Sequence, residues 1–301
     1  MADFKLTARQ EQANDLLGSG STHIMLFGGS RSGKTFLLVR AVCVRAIKAS
    51  KSRHAILRFR FNAVKASVVA DTFPKVMELC FPAVKYEMNR TDWVAKLPNG
   101  SEIWFGGLDD KERTEKILGM EFATLYLNEC SQIPYGSVET ALTRLAQKTT
   151  QTIDGKSTEL KPRAYYDCNP PSKAHWSYKI FVEKRNPETK EAPRNPGDYV
   201  SMQINPTDNT ENLAAGYLDT LKAMSSRARK RRPPAGTSNM PVSTPSASTT
   251  GWTLRLWIRP RRAIEAPRSS IETPAFTRRT LDWDRTSLLK GMSREDDRVI
   301  F

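Results

Sequence analysis

The stretch Ile24-Met25-Leu26-Phe27-Gly28-Gly29-Ser30-Arg31-Ser32-Gly33-Lys34-Thr35 decides how the rest of the chain is read. Four apolar residues of strand type run into a glycine-rich turn. Lys34 and Thr35 then open an amphipathic helix carrying Phe36, Leu37, Leu38, Val39 and Val42. This is the strand–GxxxxGK[ST]–helix order of a P-loop. Gly28 and Gly33 let the backbone curl so that successive N–H groups converge on one point and form a nest for anionic oxygens. The N-terminus of the following helix adds partial positive charge at the same point. Residues 28–35 therefore read as a phosphate cradle, with Lys34 for the β- and γ-phosphates and the Thr35 hydroxyl for Mg²⁺.

The 301 residues suit one large or two smaller domains, and 39% apolar content is enough for a sizeable core. The net charge of +15 suggests a polyanionic partner, nucleic acid first. Four widely spaced cysteines (Cys43, Cys80, Cys130, Cys168) and three histidines (His23, His54, His175) show no metal-ligand spacing. The thiols read as reduced and mostly buried, as in a cytoplasm. The polar start Met1-Ala2-Asp3-Phe4-Lys5 does not read as a signal peptide, and no apolar run approaches the length of a membrane span.

Outward from the P-loop, strands and helices alternate. A short helix over 5–17 has Thr7 as its N-cap candidate, and the P-loop helix runs to about Ala49. Residues 54–61 predict a strand in which Arg58 and Arg60 alternate; 63–79 has helical spacing broken at Phe73-Pro74. Asn99-Gly100 marks a hairpin between residues 93–97 and 102–105. Strands follow at 122–127, 163–168 and 199–204, and helices at 137–147, 176–183 and 214–224. The alternation predicts an α/β fold with a parallel or mostly parallel sheet.

A P-loop needs a second site to hold Mg²⁺ and orient the attacking water. The strand ending Leu125-Tyr126-Leu127-Asn128-Glu129 delivers a polar pair to its C-terminal end, where ligands bind in α/β sheets. Glu129 reads as the general base. Asn128 stands where such motifs carry Asp; its amide would accept from a metal-bound water but brings no charge to Mg²⁺. Asn169, after Tyr165-Tyr166-Asp167-Cys168, reads equally as a γ-phosphate sensor and as an ordinary Asn-Pro turn. Arginine supports phosphoryl transfer: Arg31 lies inside the loop, whereas Arg58, Arg60 and Arg144 read first as structural or solvated.

These three motifs, in this order and spacing, resemble the ATPase half of tailed-bacteriophage large terminase subunits. The resemblance covers roughly residues 5–230. It extends to the opening Leu6-Thr7-Ala8-Arg9-Gln10, similar to the family's adenine-contacting segment with Gln10 as the contact, and to 205–212, similar to the end of its ATPase domain. It implies a P-loop NTPase domain of the additional-strand, catalytic-glutamate type, and an ATP-driven motor that packages double-stranded viral DNA in the bacterial host cytoplasm. By the same resemblance, Lys34 and Thr35 bind ATP and Mg²⁺, Asn128 lies at the metal, Glu129 activates water and Asn169 couples hydrolysis to movement. Arg31 acts as a finger in cis unless a neighbouring subunit supplies one. The implied partners are DNA, a portal protein, a small terminase subunit and further copies of the chain in a ring. The alternatives are a helicase-like ATPase and an inactive remnant that binds nucleotide without turnover.

Beyond residue 229 the composition changes. Positions 233–250 hold eight Ser/Thr and four Pro, and residues 229–301 carry fifteen Lys/Arg against seven Asp/Glu, so +8 of the +15 lies there. The expected division is an ATPase domain over 1–229 and a largely disordered basic tail over 230–301. The family continues into a nuclease domain with clustered carboxylates. Here Asp282, Asp284, Asp296 and Asp297 follow no strong strand and read as solvated charges. The abrupt change resembles out-of-frame translation.

Overall fold

A computed structural model describes residues 5–221 and 223, apart from 110 and 154. The tail expected over 230–301, its four aspartates included, lies outside these residues. In chain order the described elements are α1 (Ala8–Gly18), β1 (His23–Phe27), α2 (Lys34–Lys48), β2 (Arg53–Arg58) and α3 (Phe61–Val64). A π-helical stretch, Lys65–Thr72, joins α3 to α4 (Phe73–Cys80). Then come β3 (Glu87–Asn89), β4 (Val94–Lys96), β5 (Glu102–Gly107), α5 (Lys111–Leu118), β6 (Thr124–Leu127) and α6 (Tyr135–Leu142). The last are β7 (Thr150–Ile153), β8 (Lys156–Glu159), β9 (Arg163–Cys168), α7 (Trp176–Phe181), β10 (Tyr199–Gln203) and a 3₁₀ segment, Pro206–Asn212.

Eight strands form one sheet in the order β10-β1-β9-β6-β2-β5-β4-β3. The six from β10 to β5 pair in parallel, and β4 and β3 extend the edge antiparallel. The mostly parallel α/β sheet is as expected, and so is the additional strand: β9 is inserted between the P-loop strand β1 and the strand β6 that leads to Glu129. The parallel strands are buried on both faces, which is why they read as near-continuous apolar runs. Alternation along them sorts side chains into two cores. Ile24, Leu26, Ile56, Tyr126 and Tyr165 pack beneath α2 and α4 with Leu37, Val42, Phe73 and Val76. Met25, Ala55, Leu57, Leu125, Leu127, Ala164 and Tyr166 pack on the opposite face against Val138, Trp176 and Phe181. This two-residue period decides where the polar ends of β6 and β9 point.

Several local expectations are revised. The segment from Phe61 to Cys80 stays helical through Pro74, and the irregularity expected there takes the form of a change from π-helix to α-helix at Phe73. β2 ends at Arg58, so Arg60 is not on the strand but an exposed residue preceding α3. α6 stops at Leu142, and Arg144 lies in the turn beyond it, its carbonyl accepting from Phe122 N–H at 2.8 Å. That places Arg144 at the end of β6 remote from Glu129. Ser52, His54, Arg45 and Thr124 form a buried polar network at the same remote end. Desolvation and the neighbouring Arg45 push His54 down to about 3, so it stays neutral.

Candidate nucleotide site

Why the loop must carry glycine is visible at two positions. Gly28 takes φ 147°, and a Cβ there would fall 1.9 Å from the Ile204 carbonyl oxygen, because β10 lies directly alongside. Gly33 takes φ 85° at the N-cap of α2, and a Cβ there would fall 2.6 Å from Gln10 Nε2. Arg31, also in the loop, is held at φ 61°, a conformation that costs a non-glycine residue free energy.

Within this loop Lys34 is buried, and its ammonium donates to Gly28 O (3.0 Å), Gly29 O (2.7 Å) and Ser32 Oγ (3.1 Å). Burial lowers its proton affinity, while Asp167, Glu129 and Cys168 act in the opposite direction. The side chain of Arg31 is exposed and its guanidinium lies over the Tyr217 ring, 5.4 Å from the centroid. Ser30 is exposed beside it.

Gln10, expected from the family resemblance as an adenine contact, is buried against the loop with both ends of its amide engaged. Oε1 accepts from the Thr7 N–H at 3.1 Å, completing a capping box at the start of α1. Nε2 donates to Asn209 Oδ1 at 2.9 Å, and Asn209 Nδ2 donates to the Arg31 carbonyl at 2.9 Å. A relay of two side chains thus fixes the loop to α1 on one side and to the 3₁₀ segment on the other. Asn209 gave no sign of this in the sequence beyond lying in 205–212.

The second half of the site is built where β6 and β9 end. Register pairs Leu127 with Tyr166, so Asn128 and Asp167 come level, both on the α2 face that Tyr126 and Tyr165 share. Asp167 is 1% exposed and accepts three hydrogen bonds. Thr35 Oγ1 donates to its Oδ2 at 3.0 Å; Asn128 Nδ2 (3.0 Å) and the Glu129 N–H (2.8 Å) donate to its Oδ1. Asn128 Nδ2 also donates to the Tyr126 hydroxyl at 3.0 Å, whereas Asn128 Oδ1 is buried with no protein partner.

Glu129 itself takes φ 50°, ψ 50°, a left-handed conformation held by the Asp167 carboxylate. Burial raises its affinity for a proton, Asp167 raises it further, and Arg58 and Lys34 oppose the rise. Arg58, at the end of β2, donates to Ser67 Oγ at 3.2 Å. It therefore belongs to the surroundings of Glu129, and Arg60 and Arg144 do not. Asn169 stands exposed just past the end of β9.

The sequence-predicted residues 28–35, Asn128 and Glu129 thus converge, with Gln10 behind the loop. Asp167 is the residue that sequence reasoning missed. Its only mark was a charged residue inside an otherwise apolar strand, Ala164-Tyr165-Tyr166-Asp167-Cys168.

These groups fit a hydrated divalent cation: a hydroxyl, one buried carboxylate and an orphaned buried carbonyl oxygen, the oxygen set that Mg²⁺ takes beside phosphates. Among the described residues no Lys, Arg or His comes within ion-pair distance of Asp167, and Lys34 interacts with it only at longer range.

A family model described as phage terminase large subunit matches residues 21–230. Among solved structures, the large terminase from a thermophilic bacteriophage gives a TM-score of 0.56 at 14% identity, covering 77% of this chain and 52% of that one. The same protein in complex with ADP gives 0.55 at 13% identity, covering 77% and 51%. Its complex with ATP-gamma-S gives 0.52 at 13% identity, covering 77% and 50%. This chain spans about half the length of these three solved structures. At these identities the likeness establishes the fold. No curated protein matches the sequence.

Proposed function

The chain belongs to the phage terminase large subunit family, and on that basis we propose that it is an Mg²⁺-dependent P-loop ATPase whose turnover drives double-stranded DNA into viral procapsids. The observation that carries the reading is the convergence of Lys34, Thr35 and Glu129 on one cluster at the C-terminal ends of β1, β6 and β9. Structures of the thermophilic phage's large terminase bear ADP and ATP-gamma-S, in keeping with nucleotide at this loop.

Each residue has a definite part. The loop N–H groups and the α2 N-terminus receive phosphate oxygens. Lys34 exchanges the Gly28 and Gly29 carbonyls for the β- and γ-phosphates, so its present hydrogen bonds keep the ammonium positioned and partly satisfied. Thr35 and Asn128, with Asp167 beside them, would hold Mg²⁺, whose chemistry there would be to offset developing phosphate charge. Glu129 orients water and takes its proton, and the rise in its proton affinity from desolvation and Asp167 makes it a stronger base than an ordinary carboxylate. Arg31 reaches the γ-phosphate by leaving the Tyr217 ring. Asn169, just past the end of the strand that carries Asp167, reports loss of the γ-phosphate. DNA, portal, small subunit and sister copies are the partners of such a motor, and the host cytoplasm is its setting.

The decisive assay is ATP hydrolysis by the purified chain with and without double-stranded DNA, beside Lys34→Ala and Glu129→Ala. Turnover that rises with DNA and disappears in both variants supports the motor. Unwinding of duplex DNA would favour a helicase. ATP binding without turnover, even with portal-bearing procapsids added, would identify an inactive remnant.

A further inference from the structure

We propose that Asp167 is the carboxylate of the Mg²⁺ site, supplied from the inserted strand β9 in place of an acid at position 128, where β6 ends in Asn128. The inference rests on the nucleotide-site reading above and assigns the metal's charge partner to a residue outside the motif in which Asn128 stands.

The geometry supplies each element of the argument. The Thr35 hydroxyl donates to Asp167 Oδ2 at 3.0 Å. A hydroxyl that gives its proton to a carboxylate keeps its lone pairs for a metal, so this bond prepares Thr35 as a ligand and does not compete with that role. Asn128 Nδ2 donates to Asp167 Oδ1 at 3.0 Å, which fixes the orientation of the amide: the reverse flip would set an oxygen against a carboxylate.

Fixed in this way, Asn128 presents Oδ1 as the partnerless atom, in a residue that is 2% exposed. A buried acceptor left unpaired costs about 1–3 kcal/mol, and a metal-bound water donating to it would relieve that cost. The usual division of labour is thus exchanged between adjacent strands. β9 brings the charge, and β6 brings a neutral acceptor for the hydration shell. Asn128 is then no defect, because the site retains one buried carboxylate.

Asp167 also secures the Glu129 backbone at 2.8 Å, so a purely structural role is the competing explanation. The test therefore measures metal directly. Mn²⁺ binding to the full chain with saturating ADP is followed by electron paramagnetic resonance for wild type and Asp167→Asn. ADP binding in EDTA is measured on the same samples, with circular dichroism as the folding check.

A loss of Mn²⁺ affinity of about tenfold or more, with metal-free ADP affinity held within about twofold, supports the assignment. Unchanged Mn²⁺ affinity, or equal losses with and without metal, overturns it in favour of the structural role. Should Asp167→Asn fail to fold, the exchange Asn128→Asp with Asp167→Asn replaces it, since one carboxylate and one amide remain across the two strand ends. Mn²⁺ binding within about threefold of wild type then supports the assignment, and a deficit of about tenfold or more overturns it. If wild type takes up no ADP under either condition, the nucleotide-site reading falls first and this assignment with it.

Discussion

Glu129 concentrates the costs of the site in one residue. It is a half-buried carboxylate beside another carboxylate, in a left-handed backbone conformation. Its proton affinity is raised in the folded chain, so the folded state binds the proton more tightly than the unfolded one. The stability this brings is complete below the ordinary carboxylate value of 4.5 and is lost as pH rises through the raised value. Glu129→Gln is therefore expected to melt higher than wild type at about pH 7.5 and to lose that advantage below about pH 4.5. The same substitution is expected to lower ATP turnover by about 100-fold or more. A melting series over pH beside a turnover assay checks both. Gly28→Ala makes a second residue-scale prediction. The added Cβ meets the Ile204 carbonyl, a backbone atom just past the end of β10 that is held in place by the Ile204 N–H donating to Phe27 O. ADP affinity is expected to fall to background in a titration, with a destabilisation of several kcal/mol, on the order of 3, in urea unfolding.

Among elements, α1 owes its position to Gln10. Gln10→Ala removes half of the capping box and the amide contact to Asn209, leaving Asn209 Oδ1 with the Asn212 amide alone. The expected cost is about 1–2 kcal/mol in urea unfolding, with weaker ADP binding because the Arg31 carbonyl loses the fixed position of its partner. The elements most legible in the sequence were those where local chemistry and burial agree. The P-loop, the Thr7 cap, the Asn99-Gly100 hairpin and the apolar strands β1, β2, β6 and β9 are of this kind. Others carried no such agreement. β7 and β8, Thr-Gln-Thr-Ile and Lys-Ser-Thr-Glu, are largely exposed on both faces, so no alternation marks them. The α5 sequence, Lys-Glu-Arg-Thr-Glu-Lys-Ile-Leu, is mostly charged and offers only a short apolar end. Asp167 was hidden for a different reason: its meaning depends on register between β9 and β6, a long-range fact with no trace in local spacing.

For the whole molecule, the predicted division at residue 229 separates chemistry from charge. Residues 230–301 are expected to add DNA affinity through their excess of Lys and Arg and to contribute nothing to the ATP site. A chain ending at residue 229 is expected to keep its DNA-independent ATP turnover within about twofold. Its DNA binding is expected to be weaker, with a shallower dependence on salt, as measured by titration at several salt concentrations. Retained DNA affinity would place the contacts on the α/β domain instead.

The relay from Gln10 through Asn209 to the Arg31 carbonyl has a mechanical consequence. Chain leaving the 3₁₀ segment at Leu213 is anchored to the Arg31 carbonyl by a single hydrogen bond, from Asn209. On the proposed reading, tension on that outgoing chain would bear on the loop through this bond as well as on β10 through the backbone. Nucleotide held in the loop as proposed and tug on the outgoing chain would then meet at a single hydrogen bond.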